Sequence, residues 1–357
     1  MADTQELTDL AQTISQATQI ITKHRNAEDG DSSSTEQMLK ATAQLIQATT
    51  DMQILVSGPE NFLKNMSLAY HEMTAMAVVV EFNLAPLVPL ESSITFQELA
   101  KQSGAPPGRL ERVLRLLFLR KIFYEPTSGS VAHTAISRCL VTNPELTAYL
   151  GHCTHEAFPA ASRLVDSMRR YSSTEGPSET GFNIAFDTPD PMFSFMAKHP
   201  ERYDRFNKGM AGFSKHGGRS VQAVVDIYPW DKLNQAVVAD VGGGHGHVAI
   251  ALAKQYPELS FVVQDLSVAV DAGARLLAPE LKKRVAYEAH DMFDNQTDKK
   301  IGVFFLRHIL HDWPDEHAIK ILRALIPAMQ PGSRVLIMDL VIPPPQQLHG
   351  LHEKFIS

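Results

Sequence analysis

Cysteine is scarce in this chain of 357 residues, which contains only Cys139 and Cys153. Two cysteines cannot form a disulfide framework, so the sequence excludes the small disulfide-rich secreted class and indicates a reducing compartment. The amino-terminal segment MADTQELTDL lacks the basic and apolar regions of a secretory signal peptide. No apolar run reaches the ~20 residues of a membrane helix, because basic residues interrupt the longest candidate, 112–123. We therefore predict a cytoplasmic protein with no membrane partner.

An excess of basic charge is also lacking. The chain has 33 Lys and Arg against 40 Asp and Glu, which gives a formal net charge of −7. This balance argues against a nucleic-acid partner, because nonspecific binding depends on basic side chains that neutralise phosphates. Hydrophobic residues make up 44% of the chain, which is enough for globular cores. The length predicts roughly two domains of about 150 residues each.

The segment from Ser92 to Thr134 has a winged-helix pattern. A short helix through Lys101, capped by Ser93 or Thr95, is followed by a glycine- and proline-rich turn and an amphipathic helix over 109–119. A β-hairpin with its turn near Gly129 comes next. The basic residues of the second helix leave a DNA-binding alternative open, but its apolar stripe favours a packing or dimer surface.

The pattern changes near Trp230, where apolar runs of strand length alternate with helical stretches. This alternation predicts a doubly wound parallel sheet of the Rossmann-like α/β class. We divide the chain into an N-terminal helical extension with a linker (1–56), a mostly helical winged-helix region (57–228) and a Rossmann-like domain (229–357). The linker is the polar stretch 26–35, and the predicted strands are 236–241, 260–263, 285–289, 301–306 and 334–339.

A glycine-rich loop follows the first predicted strand in the sequence DVGGGHGH. Gly242, Gly243, Gly244 and Gly246 permit positive φ angles and a close approach of a ligand to the backbone. The next strand ends at Asp265, where a carboxylate is placed to accept hydrogen bonds from a ribose. The sequence therefore predicts a nucleoside-binding crevice, although the plainer alternative is that these glycines only tighten the strand-to-helix turns.

Two acidic positions favour S-adenosylmethionine over a dinucleotide in this crevice. Asp240 precedes the glycine loop, where a carboxylate suits the ammonium group of a methionine moiety and offers nothing to a pyrophosphate. The third strand ends in HDMF, which supplies Asp291 and the apolar Met292 and Phe293 to flank an adenine. The formal match of 244–249 to the dinucleotide fingerprint is weak without further support.

These motifs, taken in order, resemble a known family. DVGGGHG, QDL, HDMF, LRHILHDWPDE and VLIMDLVIPPP resemble the motifs of plant- and fungal-type class I S-adenosylmethionine-dependent O-methyltransferases of the caffeic-acid type. The winged-helix pattern is similar to the dimerisation domain of that family, and so is FNKGMAGFS (206–214). The resemblance covers nearly all of the chain after about residue 57. It implies a homodimer that methylates a small aromatic acceptor in secondary metabolism.

The resemblance also implies roles for individual residues. Its cofactor-binding positions match Gly242, Gly244, Asp265, Leu266, Asp291 and Met292, and Arg307 stands where the family often has a cofactor-contacting Lys. His311 matches the catalytic base, and Asp339 matches a carboxylate, usually Glu, that orients this base. Met210 and Phe213 fall in a segment that lines the acceptor pocket.

The sequence departs from the family pattern in two places. Asp339 is one methylene shorter than Glu, which shortens its reach to His311. The family continues beyond position 357 with a helix and strands that complete the sheet, so we expect a sheet without those strands. This departure keeps two alternatives open, a pericyclase-like enzyme that retains the cofactor and a non-catalytic regulatory scaffold.

Methyl transfer to a phenol needs a base. A phenol has a pKa near ~10 and an imidazole near ~6.5, so a histidine base must act as the methyl moves or be assisted by a carboxylate. The alternative for His311 is a structural histidine beside Asp312, with Asp312 capping the next helix. His308 and His317 lie nearby, but their spacing places no pair on one helical face, and we expect no metal site.

Overall fold

Residues 4–25, 32–172, 176–213 and 220–339 are described by the computed structural model. They form two compact units, which divide after Tyr70. The three-part domain division predicted from the sequence stays a prediction. None of the helices in these ranges is long and apolar enough to cross a bilayer.

The first unit is helical. Its helices are α1 (Thr4–Arg25), α2 (Ser32–Ser57) and α3 (Pro59–Ser67). Ala17 of α1 and Ala41 and Ala48 of α2 are buried, and such small side chains let two helices approach closely. The predicted linker was partly wrong, because α2 already begins at Ser32, while residues 26–31 lie outside the described part of the chain.

The second unit begins with the predicted winged helix. Its elements are α4 (Tyr70–Glu81), α5 (Leu84–Leu87), β1 (Ser93–Thr95), α6 (Phe96–Ser103), α7 (Pro107–Phe118), β2 (Phe123–Tyr124) and β3 (Ser130–His133). The Thr95 hydroxyl caps α6 by accepting from the Glu98 N–H at 3.1 Å. The three strands form an antiparallel sheet in the order β1-β3-β2. Helix α4 follows α3 after a break at residues 68–69.

A series of short helices connects the winged helix to the parallel sheet. They are α8 (Ala135–Thr142), α9 (Pro144–His152), a π-helix (Cys153–Ala157), α10 (Phe158–Ala161), α11 (Leu164–Arg170), α12 (Gly181–Ala185), α13 (Met192–Ala197), α14 (Pro200–Phe213) and α15 (Val221–Ile227). Helix α14 packs closely on α9. A Cβ at Gly209 would lie 2.8 Å from the Cα of Tyr149, so glycine permits this approach.

The parallel sheet is built as the sequence predicts. Its elements are β4 (Val237–Val241), α16 (His247–Gln255), β5 (Ser260–Asp265), α17 (Ser267–Leu276), β6 (Val285–Ala289), β7 (Ile301–Arg307), α18 (Asp315–Leu325) and β8 (Arg334–Met338). All strand pairs are parallel, in the order β6-β5-β4-β7-β8. The strand order reverses between β4 and β7, and ligands of doubly wound folds bind at the carboxyl ends of the strands at such a point.

Both faces of this sheet are covered. Successive side chains of a strand point to opposite faces, so Phe305 packs with Trp230 and Phe261 on one face. Phe304 packs with Ile321 and Leu325 of α18 on the other face. Burial on both sides explains why the strands are near-continuous apolar runs in the sequence.

Candidate active site

The glycine loop forms the floor of a crevice at the carboxyl end of β4. Gly242, Gly244 and Gly246 have φ angles of 72°, 58° and 76°, a conformation that other residues rarely adopt. The N–H groups of Gly242 and Gly243 donate to the Gln264 carbonyl at 2.8 and 3.2 Å. A Cβ at Gly246 would lie 2.7 Å from the Tyr287 hydroxyl oxygen. Glycine is therefore required here by both conformation and space.

Asp240 lies buried beneath this loop. Its side-chain atom Oδ2 is buried without a hydrogen-bond partner among the described residues. Burial raises the pKa of Asp240 to about 7, against the attraction of the nearby Arg307 guanidinium. A Cβ at Gly243 would lie 2.7 Å from this Oδ2, so the absence of a side chain there leaves room beside the carboxylate. An unsatisfied buried carboxylate is a natural partner for a cationic ligand group.

Asp265 ends β5 on the other side of the loop, where the sequence predicts a ribose-binding carboxylate. Its Oδ2 accepts from the Gly244 N–H at 2.8 Å, and its Oδ1 accepts from the Leu266 N–H at 2.7 Å. A third donor is the hydroxyl of Tyr203, which is 2.7 Å from Oδ1. A ribose that used both oxygens of Asp265 would therefore compete with the Tyr203 hydroxyl.

Helix α14 covers the glycine loop. This contact was not predicted from the sequence. A Cβ at Gly244 would lie 2.8 Å from the Asn207 side-chain oxygen, and the Asn207 amide nitrogen is buried with no partner among the described residues. Tyr203, Asn207 and Met210 share one helix face by their spacing. The predicted pocket residue Met210 thus faces the crevice side, while Phe213 ends α14 and its side chain lies outside the described atoms.

The third strand end is more open than the first two. The Asp291 carboxylate is exposed and accepts from the Phe293 N–H at 2.9 Å, which holds the turn after β6. A Cβ at Gly242 would lie 3.6 Å from the Met292 methyl carbon, so Met292 reaches the loop. The Phe293 ring packs edge-on against Trp313, with centroids 4.7 Å apart.

His311 lies in a 3₁₀ turn (Leu310–Asp312) after β7, between two carboxylates. Its Nδ1 is 3.5 Å from Asp339 Oδ1, and its Nε2 is 3.4 Å from Asp312 Oδ1. The other oxygen of Asp339 accepts from the Leu310 N–H at 3.0 Å, which fixes the turn. The predicted pair of His311 and Asp339 is thus brought together, at a distance beyond a normal hydrogen bond.

Asp312 does not cap the next helix, contrary to the alternative that the sequence left open. Helix α18 begins at Asp315 after Pro314, and no side chain caps it. Desolvation raises the pKa of Asp312, and the neighbouring Asp339 carboxylate adds to the rise while His311 opposes it. Asp312 is therefore part of the site. In the sequence, the only indication of this role is that Asp312 follows His311 directly.

His308 is a second histidine of the site. It has a positive φ of 54° at the end of β7, and its ring stacks on the His311 ring with centroids 5.4 Å apart. Helical spacing places no pair of these histidines on one face, so their proximity was not predicted from the sequence. His245 and His247 of the glycine loop have Nε2 atoms that are buried and have no hydrogen-bond partner among the described residues.

An aromatic cluster, called the aromatic wall below, includes Trp313, which follows His311 by two residues. It consists of Phe193, Phe206, Trp313 and Phe293. The Phe193 ring lies 5.7 Å from Phe206 and 6.1 Å from Trp313 between centroids. Such a wall offers flat apolar contact to a planar ligand.

The reversed strand order, the glycine loop and the acidic strand ends define a nucleoside-binding α/β enzyme. The charges of this crevice suit S-adenosyl-L-methionine, because the buried Oδ2 of Asp240 has no donor among the described residues and could receive an ammonium group. The glycine loop leaves its backbone open to a ligand. If a ribose uses both oxygens of Asp265, the Tyr203 hydroxyl has to move away from Oδ1.

Comparisons with known proteins agree with this class. A family model for the O-methyltransferase domain matches residues 164–354, and one for the O-methyltransferase dimerisation domain matches residues 65–143. The O-methyltransferase bfoD of Aspergillus brasiliensis is 35% identical over 88% of this chain and 76% of its own length. Chlorophenol O-methyltransferase of Trichoderma longibrachiatum is 32% identical over 86% of this chain and 67% of its own length.

A solved structure has the same fold. The crystal structure of OxaC superposes with a TM-score of 0.83 at 19% identity, over 98% of this chain and 88% of that one. The same protein has been crystallised with sinefungin and meleagrin. The chain therefore belongs to the S-adenosylmethionine-dependent O-methyltransferases of secondary-metabolite type, and its cofactor is S-adenosyl-L-methionine. The predicted family, α/β fold and winged-helix region are confirmed.

Proposed function

We propose that this enzyme methylates a phenolic hydroxyl of an aromatic or polyketide-type metabolite, with His311 as the general base. The observation that carries the proposal is the position of His311 between Asp339 and Asp312, at 3.5 and 3.4 Å, in the turn that leads into the aromatic wall. Chlorophenol O-methyltransferase is named for a phenolic acceptor, which supports the substrate class.

The cofactor, when bound, supplies a methyl group activated by its sulfonium. We assign its ammonium group to Asp240 and its ribose to Asp265. The backbone of Gly242, Gly243, Gly244 and Gly246 would hold it from one side. The other residues that would contact it are Leu266, Asp291, Met292, Phe293 and Arg307. Met210 and the aromatic wall position the acceptor, and Phe213 belongs to the same pocket segment.

In this proposal the Nε2 lone pair of His311 receives the phenolic proton as the methyl moves. The proton of the neutral ring then lies on Nδ1, which faces Asp339. The carboxylate of Asp339 holds the ring and stabilises the imidazolium that forms, as in other histidine–carboxylate pairs. The gap of 3.5 Å has to close by a few tenths of an ångström for a hydrogen bond.

The experiment is a transfer assay with labelled S-adenosyl-L-methionine and a panel of chlorophenols and hydroxylated naphthalenes. We expect His311→Ala to lower the rate by about 10²- to 10⁴-fold, the contribution typical of a positioned base. The control is His155→Ala, which removes an imidazole that hydrogen-bonds to Glu81 at 2.8 Å and to no residue of the site. Full activity of His311→Ala would refute the base assignment, and no labelled phenol with the wild type would refute the acceptor class.

We also propose a homodimer formed through the winged-helix region, on the strength of the match to the dimerisation domain. Sedimentation equilibrium of the full chain tests this point, and a monomer at micromolar concentration would refute it.

A further inference from the structure

Three side chains converge at the carboxyl ends of β7 and β8. One ligand-capable atom of each of His308, His311 and Asp339 lies within 4.8 Å of the others. Asp339 Oδ1 is 3.8 Å from His308 Nδ1 and 3.5 Å from His311 Nδ1. These distances exceed a normal hydrogen bond. In a tetrahedral zinc site, ligand atoms about 2.0–2.1 Å from the ion lie about 3.3 Å apart. The two histidine–carboxylate distances would therefore shorten by a few tenths of an ångström, and the distance between the two imidazole nitrogens, which is at most 4.8 Å, by about 1.5 Å or less.

We propose that His308, His311 and Asp339 form a binding site for a divalent zinc-type ion, and that the ion switches the enzyme off. Binding of the ion is independent of the proposed function. Inhibition by the ion rests on the proposed function, because inhibition requires His311 to be the base.

The ligands are held by the structure around them. Asp339 uses Oδ2 to accept from the Leu310 N–H at 3.0 Å, which leaves Oδ1 turned to the two imidazoles. That Oδ1 is buried and has no hydrogen-bond partner among the described residues. The His308 N–H donates to the Met338 carbonyl at 3.0 Å, which links the ends of β7 and β8 and so fixes His308 beside Asp339.

Asp312 completes the arrangement from behind. Its carboxylate is 3.4 Å from Nε2 of His311, the ring nitrogen that would not bind the ion. A metal-binding histidine usually donates its second N–H to such a carboxylate, which fixes the tautomer. Two carboxylates facing two imidazoles also favour a dication. The nearest cation along the strand, Arg307, interacts with Asp240.

The donor set selects the kind of ion. Two imidazoles and one carboxylate suit zinc, copper, nickel and cobalt, whereas magnesium and calcium prefer oxygen ligands. His311 is exposed, so an ion can reach the site from solvent. Three protein ligands leave a position open, as in other accessible zinc sites.

The site would block catalysis by fixing the tautomer of His311. An ion on Nδ1 leaves the proton of the neutral ring on Nε2, where it faces Asp312. Nε2 then has no lone pair for the proton of a phenol. Metal binding and proton transfer from the acceptor thus exclude each other at one imidazole.

The test is a titration of the full chain with Zn²⁺ in competition with a chromophoric chelator, without cofactor or acceptor. We expect saturable binding of one ion. His308→Asn and Asp339→Asn should each lower the affinity at least about 100-fold, because losing even a partner behind a ligand costs about 10- to 100-fold. The matched control is His317→Asn, which removes a nearby imidazole outside the cluster and should leave the affinity unchanged.

A spectroscopic measurement on the wild type tests the site without relying on a variant that could misfold. Co²⁺ in the wild type should give the visible absorption of a low-coordinate imidazole site, and this band should disappear on adding Zn²⁺ but not Mg²⁺. No saturable binding, or equal affinity in all four proteins, would overturn the proposal.

A second assay tests inhibition separately. Zn²⁺ should abolish methyl transfer by the wild type, and a chelator should restore it. His308→Asn should need at least about 100-fold more Zn²⁺ for the same inhibition. Zinc binding that requires His308 and Asp339 but leaves the rate unchanged would keep the metal site and refute His311 as the base.

Discussion

The contact between Tyr203 and Asp265 makes a prediction about cofactor affinity. The Tyr203 hydroxyl donates to Asp265 Oδ1 at 2.7 Å. The N–H groups of Gly244 and Leu266 already use two other lone pairs of this carboxylate. A carboxylate has about four acceptor positions, so a ribose that binds both oxygens must displace the hydroxyl. Tyr203→Phe removes this competitor and should tighten the binding of S-adenosylhomocysteine.

The magnitude follows from the kind of bond. A hydrogen bond to a charged group contributes about 1.5–3 kcal/mol, and each 1.4 kcal/mol is about tenfold in affinity. Displacing the hydroxyl therefore costs the wild type a factor of about 10 to 100. The same change should lower the free energy of unfolding of the cofactor-free protein by about 1.5–3 kcal/mol, since the bond is lost there.

The assay is isothermal calorimetry with S-adenosylhomocysteine, together with urea unfolding of the free protein. The matched control is Tyr256→Phe, whose hydroxyl donates to the Val225 carbonyl away from the crevice, and its affinity should stay at the wild-type value. Unchanged or weaker binding by Tyr203→Phe would refute the reasoning, because it would mean that the hydroxyl stays on Asp265 in the complex.

Two further predictions concern buried carboxylates. The pKa of Asp240 is raised to about 7 in the free protein, and a bound ammonium would lower it, so affinity for S-adenosylhomocysteine should rise with pH up to about pH 7 and then level off. Calorimetry across this range should show no such rise for Asp240→Asn, and a rise that persists there would assign the titration to another group. Glu156 is fully buried and pairs with Arg202 at 2.6 Å, with Arg205 and with His152, so Glu156→Gln should lower the free energy of unfolding by about 3 kcal/mol. Urea unfolding measures this, and a loss within about 0.5 kcal/mol, the size of an ordinary surface substitution, would contradict it.

The sheet could be predicted from the sequence because its strands are buried on both faces. Strand Val285–Ala289 has the predicted bounds, and the other strands differ by one or two residues at an end. The glycine loop could also be predicted, since three of its glycines adopt φ angles that other residues avoid. Local chemistry alone fixes these features.

Features that depend on distant segments could not be predicted. Tyr203 and Asn207 reach the glycine loop from α14, some 40 residues upstream. The spacing of apolar residues in the sequence does not predict such a contact. His308 and His311 meet because the chain turns at a positive φ after β7, whereas helical spacing would have kept them apart. The pair of His311 and Asp339 was found only through the family resemblance.

The most direct test of the account is the pH dependence of methyl transfer by His311→Ala with a phenolic acceptor. A phenol ionises by itself near pH ~10, so the base becomes dispensable there. We predict that the deficit of His311→Ala against the wild type shrinks about tenfold per pH unit between about pH 7 and pH 10. A deficit that stays constant over this range, or no deficit at neutral pH, would contradict the assignment of proton removal to His311.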